Sequence, residues 1–394
     1  MFETLTPPPQ DKIIQIMGLY AADTRPEKVD LGVGVYRTED GRTPVMAAVK
    51  AAEARILQAQ ESKGYVALAG DAGFHAVMRG LILGDAVAPE RVAACATPGG
   101  TGAVRQILEM VQRLTPEARI WVPSPSWPNH AAIIGHLGLT QVDYRYYDAD
   151  AGGIDRDGML ADLAQAQKGD IVLLHGCCHN PTGADLSAQD WGDLAGVFEA
   201  TGAIPFVDIA YQGFGEGLEE DAQGLRSLAA RVPEMLVAAS GSKNFGLYRE
   251  RVGIILAVTD PGTPRDVAAA MLAHLNRQSF AFPPDHGARV VETILTDAEL
   301  TAQWRAELDA MRTRMTANRR ALAEALRAET GSDRFGFIAA QRGMFSLLPV
   351  TGAQVSQLRE DHAIYLVSDG RMNVAGLTEK TIPQVARAIA QVLG

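Results

Sequence analysis

The run Ser240–Arg251 (SGSKNFGLYRER) places Lys243 among small hydroxyl-bearing residues, with two arginines downstream. It follows Met235–Ala239 (MLVAA), an apolar stretch that reads as a buried strand. Hydroxyls and arginine suit a phosphate, which a guanidinium engages through paired N–H donors. A lysine held beside a bound phosphate is placed to form a Schiff base with an aldehyde on the same molecule. The chain has seven lysines, Lys12, Lys28, Lys50, Lys63, Lys168, Lys243 and Lys380, and few of the others stand in such a setting.

Two further groups fall at strand ends, where open α/β sheets bind ligands. Asp208 closes the apolar run Ile204–Asp208 (IPFVD), and a carboxylate on a buried strand is costly unless it meets a cation. An acid for a protonated pyridine nitrogen and a lysine for an aldehyde are the pair that pyridoxal phosphate requires. Thr97–Ala103 (TPGGTGA) opens a helix. Its glycines let backbone N–H groups approach an anion, and the helix N-terminus adds roughly half a positive charge. Thr101 can add a hydroxyl, and Ser240, Ser242 and Arg251 complete a phosphate seat. His175–Gly183 (HGCCHNPTG) follows another strand. His175, Cys177, Cys178 and His179 are metal-ligand types, but all four lie within five residues and no second cluster accompanies them. A tetrahedral site draws ligands from separated segments, so strand-end packing is the better account and no metal is expected. Leu31–Val35 (LGVGV) lacks the third glycine and the following helix of a dinucleotide loop.

The elements that must carry these groups follow from hydrophobic patterning. Strands are expected at Arg119–Val122, Ile171–His175, Ile204–Asp208, Met235–Ala239 and Val252–Val258, and their unbroken apolar runs indicate burial on both faces. Residues 101–114 form one apolar helical face from Val104, Ile107, Leu108, Val111 and Leu114. The alternation is that of an α/β protein with a mostly parallel sheet between helices. A long charged helix is expected from about 298 to 328. After it come short strands near Phe335–Ile338 and Met344–Leu348, then helices near Gln354–Asp361 and Thr381–Leu393. The expected division is an extended arm over 1–12, stiffened by three prolines, a small α+β domain from 13–45 and 301–394, and a large ligand-binding domain over 46–300. The small domain is thus built from both chain ends.

The 394 residues, 47% hydrophobic and 21% charged, supply an ample core, and the net charge of −11 argues against nucleic-acid binding. Arg305, Arg312, Arg314, Arg319, Arg320 and Arg327 alternate with Glu307, Asp309, Glu324 and Glu329 and read as a solvated helix face. No export signal and no stretch apolar enough to span a bilayer is visible. Three cysteines, Cys95, Cys177 and Cys178, make a poor disulfide framework. A cytoplasmic enzyme is expected.

Leu31–Tyr36 (LGVGVY), Pro98–Ala103 (PGGTGA), Trp127–His130 (WPNH), His175–Gly183, Val207–Phe214 (VDIAYQGF), the lysine run and Gly370–Gly376 (GRMNVAG) together resemble one family nearly end to end. It is that of the class I, fold-type I pyridoxal-phosphate aminotransferases, aspartate/aromatic subgroup, and the bacterial aromatic-amino-acid enzymes above all. The resemblance implies that Lys243 holds the cofactor and moves the proton between Cα and C4′. Asp208 would pair with the pyridine nitrogen, with His130 behind it. Asn180 and Tyr211 would bond the phenolic oxygen, and Trp127 would stack on the ring. Gly100, Thr101, Ser240, Ser242 and Arg251 would hold the phosphate. Arg371 would clamp the substrate α-carboxylate, and Gly34 would add a backbone contact. Tyr65 and Arg277 would come from the partner of a homodimer with shared active sites, toward the phosphate and the substrate side chain.

Two departures stand out. Gly241 occupies a position between the serines that is often bulky or polar in the family, and Phe282 stands where aspartate-specific members usually carry asparagine. With Phe280, Phe282 makes Arg277–Pro284 (RQSFAFPP) apolar, which favours aromatic substrates, while Arg277 remains available to a dicarboxylate. The expectation is ping-pong transamination of tyrosine, phenylalanine and tryptophan, and of aspartate or glutamate, with 2-oxoglutarate as acceptor. The alternatives are an aspartate aminotransferase with little aromatic activity and a lyase or decarboxylase using the same cofactor. Phe282→Asn is expected to move selectivity toward aspartate. The ratio of kcat/KM for phenylalanine to that for aspartate measures it, and an unchanged ratio refutes the role given to this position.

Overall fold

The computed structural model describes residues 2–7 and 12–393. All five apolar runs form strands, over Arg119–Ser124, Ile171–His175, Ile204–Ile209, Met235–Ser240 and Val252–Val258. Two more complete a seven-stranded sheet, and neither announces itself in the sequence. Val92–Pro98 (VAACATP) is built from small residues. Thr140–Arg145 (TQVDYR) is an edge strand whose only buried side chain is Tyr144, with its hydroxyl donating to Leu173 O at 2.8 Å.

From edge to edge the order is Val92–Pro98, Val252–Val258, Met235–Ser240, Ile204–Ile209, Ile171–His175, Arg119–Ser124, Thr140–Arg145. Val252–Val258 runs antiparallel to both neighbours, and the remaining pairs are parallel. One end of the sheet therefore collects the carboxyl ends of six strands and the amino end of the seventh. The helix Gly99–Leu114 starts two residues before the expected Thr101. It packs Ala103, Val104, Ile107, Leu108 and Val111 against the sheet, while Leu114, at its end, is exposed. Full burial of each of its larger aliphatic side chains contributes about 1.5–3 kcal/mol.

The chain divides into two compact units, one of residues 44–180 and 184–313, the other of 1–43, 181–183 and 314–394. The second has its own core, centred on Leu31, Leu322, Leu326, Phe335, Ile338, Ile364, Met372 and Ile389. The expected strand near Phe335–Ile338 is instead a short helix, Phe337–Ala340, because Phe335 and Ile338 bury into this core at helical spacing. The helix Ala298–Thr330 contributes to both units. Its arginines do not form a uniformly solvated face: Arg319 is only 2% exposed and bonds to backbone carbonyls. Of the proposed arm, Phe2–Thr4 forms a 3-10 turn, Lys12 already begins a helix, and Pro8 and Pro9 lie outside the described residues. Among the described residues no helix is long and apolar enough to cross a membrane.

At the amino end of the sheet Asp170 is buried. Its carboxylate accepts from Arg119 Nη2 at 2.6 Å, Trp121 Nε1 at 3.0 Å and Gln167 N at 2.9 Å. Burial pushes the carboxyl up, yet the bonds from Arg119 and Trp121 outweigh it and hold it below the usual range. Removing one member of a buried pair costs about 3 kcal/mol. Asp170→Ala is expected to lose about that much in urea unfolding while kcat stays unchanged below the transition. A loss under ~1 kcal/mol contradicts this account.

Candidate active site

A cleft opens at the carboxyl end of the sheet. It is lined by Gly100, Thr101, Trp127, His175, Cys177, Asn180, Asp208, Ala210, Tyr211, Ser240, Ser242, Lys243 and Arg251. The lining groups lie at or just beyond the strands' carboxyl ends, with His175, Asp208 and Ser240 still inside their strands, except Arg251, which precedes the antiparallel Val252–Val258. That reversal brings Arg251 beside groups far away in sequence. Gly99 N donates to Arg251 O at 2.7 Å, and a Cβ on Gly99 would meet Arg251 Nη2 at 2.4 Å. Arg251 Nη1 reaches Ser242 Oγ at 3.4 Å and Tyr248 O at 3.1 Å, and Ser242 N donates to Ser240 Oγ at 3.1 Å. A guanidinium, two hydroxyl side chains and the first turn of a 16-residue helix thus meet at one place. Together they offer N–H and O–H donors and positive charge, the features that suit an anion.

Lys243 Nζ lies 5.2 Å from the centroid of the Tyr211 ring. The turn that carries it is held from behind. Lys243 O accepts from Gly246 N at 2.9 Å, Trp304 Nε1 donates to Asn244 O at 2.8 Å, and the Phe245 and Trp304 rings stack at 4.4 Å. Asp208 faces the same cleft, with its Oδ2 2.9 Å from His130 Nε2. The chain continues inward: His130 Nδ1 is 3.0 Å from Ser126 Oγ, and Ser126 Oγ is 3.1 Å from His175 Nε2. Ser126 went unmentioned in the sequence reading, and His175 was read there as strand-end packing; the structure joins both to His130. For Ser126 the only signal was its place in Pro125–His130, just ahead of the helix Pro128–His136 that carries His130. Burial, and then the neighbouring His130, push the His175 imidazole down to about 3, so it is neutral and its Nε2 is a neutral partner for the serine.

Not every expected site residue lines the cleft. Tyr65 and Arg277, both exposed, form a separate group with the half-buried Phe282: the Tyr65 and Phe282 rings stack at 4.5 Å, and the Arg277 guanidinium carbon lies 6.0 Å from the Phe282 centroid. Gly34 and Arg371 belong to the smaller unit, where Arg371 is buried and donates from Nη2 to Gly32 O at 3.1 Å.

Among the described residues Cys177, Cys178 and Asp221 bring ligand-type atoms within 4.8 Å of one another. Adjacent Cys178 and burial hold the Cys177 thiol well above its usual range. The Asp221 carboxylate already accepts from Gly213 N at 2.8 Å, Gly215 N at 2.9 Å and Glu216 N at 2.8 Å. The trio therefore holds a protonated Cys177 thiol beside a loop-capping carboxylate.

The chain is similar to known proteins over its full length. Residues 26–389 match the family model for aminotransferase class I and II. An aromatic-amino-acid aminotransferase of Paracoccus denitrificans is 52% identical over 392 residues, covering all of both chains. An aspartate aminotransferase of Salmonella typhi is 42% identical, also over all of both chains. A crystal structure of an aromatic-amino-acid aminotransferase from Burkholderia pseudomallei, covalently bound to pyridoxal phosphate, superposes with a TM-score of 0.97 at 43% identity over the full length of both.

Burial lowers the imidazoles of His75, His175 and His179 below their ordinary value. The unfolded chain therefore binds more protons than the folded one below about pH 6.5, and stability falls as pH falls from there. Denaturant titrations from pH 7 to pH 5 are expected to record that decline. His175→Gln should lessen the slope by up to one proton, about 1.4 kcal/mol per pH unit, and an identical slope refutes a neutral His175.

Proposed function

We propose that this chain, which belongs to the class I and II aminotransferase family, is a pyridoxal-phosphate enzyme that moves amino groups between aromatic amino acids, dicarboxylic amino acids and 2-oxo acids. The observation that carries this reading is the meeting of Lys243, Asp208 and the Arg251–Ser242 anion seat in one cleft. The donor set fits the cofactor group by group. It offers an amine for the aldehyde, a carboxylate for the pyridinium, Asn180 and Tyr211 for the phenolic oxygen, and Trp127 for the ring face. Gly100, Thr101, Ser240, Ser242 and Arg251 serve the phosphate.

Bound pyridoxal phosphate supplies the aldehyde and a pyridinium ring that takes up the electron pair released at the substrate's Cα. Lys243 Nζ removes the Cα proton and returns it one carbon away, a general acid–base task that needs an amine held within hydrogen-bond reach. Asp208 keeps the ring nitrogen protonated. His130 Nε2 donates to Asp208 and fixes its orientation, and Ser126 and His175 fix the orientation of His130. Arg371 holds the substrate α-carboxylate through its planar fork, with Gly34 beside it.

Phe280 and Phe282 give the substrate side-chain wall its apolar character. The Arg277 guanidinium, exposed and near the Phe282 ring, supports turnover of aspartate or glutamate as well. The exposed Tyr65 and Arg277, gathered on Phe282, support a homodimer in which they complete the partner's site. Localisation is cytoplasmic in this reading. A second reading, an aspartate aminotransferase with little aromatic activity, rests on the same Arg277.

Lys243→Ala is expected to retain the cofactor and to lose at least about 10³-fold in the half-reaction with phenylalanine, followed by cofactor absorbance. A wild-type rate refutes the assignment. With wild-type enzyme, kcat/KM for phenylalanine, tyrosine and aspartate separates the two readings, and a preference for aspartate above about a thousandfold decides for the second. Failure to form glutamate from 2-oxoglutarate would rule out transamination.

A further inference from the structure

Within the smaller unit the strands Phe345–Leu347 and Arg371–Asn373 form an antiparallel ribbon in which Phe345 faces Asn373 and Leu347 faces Arg371. Phe345 and Arg371 are therefore diagonal neighbours on one face of the ribbon, a separation that an aromatic ring and a long side chain can bridge. They do so: the Arg371 guanidinium carbon lies 4.5 Å from the Phe345 ring centroid. Both side chains are buried, at 2% and 4% exposure. The attraction of a cation for an aromatic face grows when water is removed.

Two supports fix the ring. At its tip stands Gly34, where an added Cβ would lie 2.8 Å from Phe345 Cζ, so only glycine leaves room for the ring. At its backbone stands Arg319, which donates from Nη2 to Phe345 O at 2.5 Å and from Nη1 to Ser346 Oγ at 2.7 Å. The same guanidinium also bonds Ile338 O, Arg342 O and Gly343 O. Ser346 Oγ in turn donates to Gln341 Oε1 at 2.6 Å. A buried arginine spread over this many oxygens locks the start of the strand on which the ring is mounted.

We propose that Phe345 is a positioning residue for transamination: its ring is the platform that sets the plane of the Arg371 guanidinium, and so the angle at which the substrate α-carboxylate is taken. This rests on the reading of Arg371 as the carboxylate clamp. A planar fork binds a carboxylate through two parallel bonds only when its plane is fixed, and without the ring the guanidinium rotates and that preorganisation is lost. The glycine at position 34 then has a second reason to exist beside its own contact with substrate.

The test uses holoenzyme and two amino donors, L-phenylalanine and phenethylamine, the latter identical but for the missing carboxylate. Phe345→Leu is expected to raise KM for phenylalanine about tenfold with kcat within about twofold, and to leave the half-reaction with phenethylamine within about twofold. Phe345→Met, unbranched and better able to fill an irregular gap yet equally without a ring, gives the same pattern and stands in should the leucine variant fold poorly. Equal losses with both donors, or none with either, overturn the platform. Arg371→Leu is measured beside them and loses at least about a hundredfold with phenylalanine alone. Phenylalanine turnover untouched by Arg371→Leu overturns the clamp reading itself. A large loss there with wild-type behaviour in Phe345→Leu removes only the platform.

Discussion

The approach of the Gly99 peptide to Gly253 is the contact on which the rest of the cleft depends. A Cβ on Gly253 would lie 2.2 Å from Gly99 C, so no other residue could stand there without pushing the helix start away from the sheet. Because Val252–Val258 runs against its neighbours, this crossing sets the amino end of one strand beside the helix that follows another. Arg251 and the first turn of Gly99–Leu114 are thereby held together, and with them a fixed guanidinium and a helix N-terminus that favour the same anion.

From that anchor the remaining groups fall at distances set by the strand spacing. Neighbouring strands lie about 5 Å apart, so Lys243, Asp208 and Asn180, each from a different strand end, line one cleft without any loop having to reach. Of the polar groups behind Asp208, His130 and His175 are buried and Ser126 half-buried, and each finds a partner in one connected run. An incomplete run would leave a costly buried donor or acceptor. This run gives the Asp208 carboxylate a hydrogen-bonding partner at the end of a buried strand.

The smaller unit solves a different problem with similar means. In the proposed reading Arg371 binds a carboxylate, and such a guanidinium must be dry enough to bind strongly and rigid enough to bind at one angle. Arg371 is buried against an aromatic ring, and Arg319, another buried arginine, ties down the backbone beneath. In the sequence Arg319 is one of six arginines alternating with acids, and nothing local separates it from its solvated neighbours. Its burial is decided by the turn Ile338–Phe345 folding over it.

Much of the cleft was legible in the chain because its groups are local to strand ends. An apolar run followed by Ser-Gly-Ser-Lys, another ending in aspartate, and a glycine-rich helix start each carry their meaning within a few residues. The strand Val92–Pro98 was not legible, since small residues signal a strand only once a helix and a neighbouring strand cover them. Nor was the Ser126–His175 contact, or the ring beneath Arg371, which join residues far apart in the chain. The sequence by itself determined which residues carry charge, hydroxyl or amine, and where strands end. Only the tertiary structure decided which strand runs backwards, which arginine is buried, and which ring lies beneath which guanidinium. Those outcomes depend on packing between distant segments, and no short window of sequence contains both sides of such a contact.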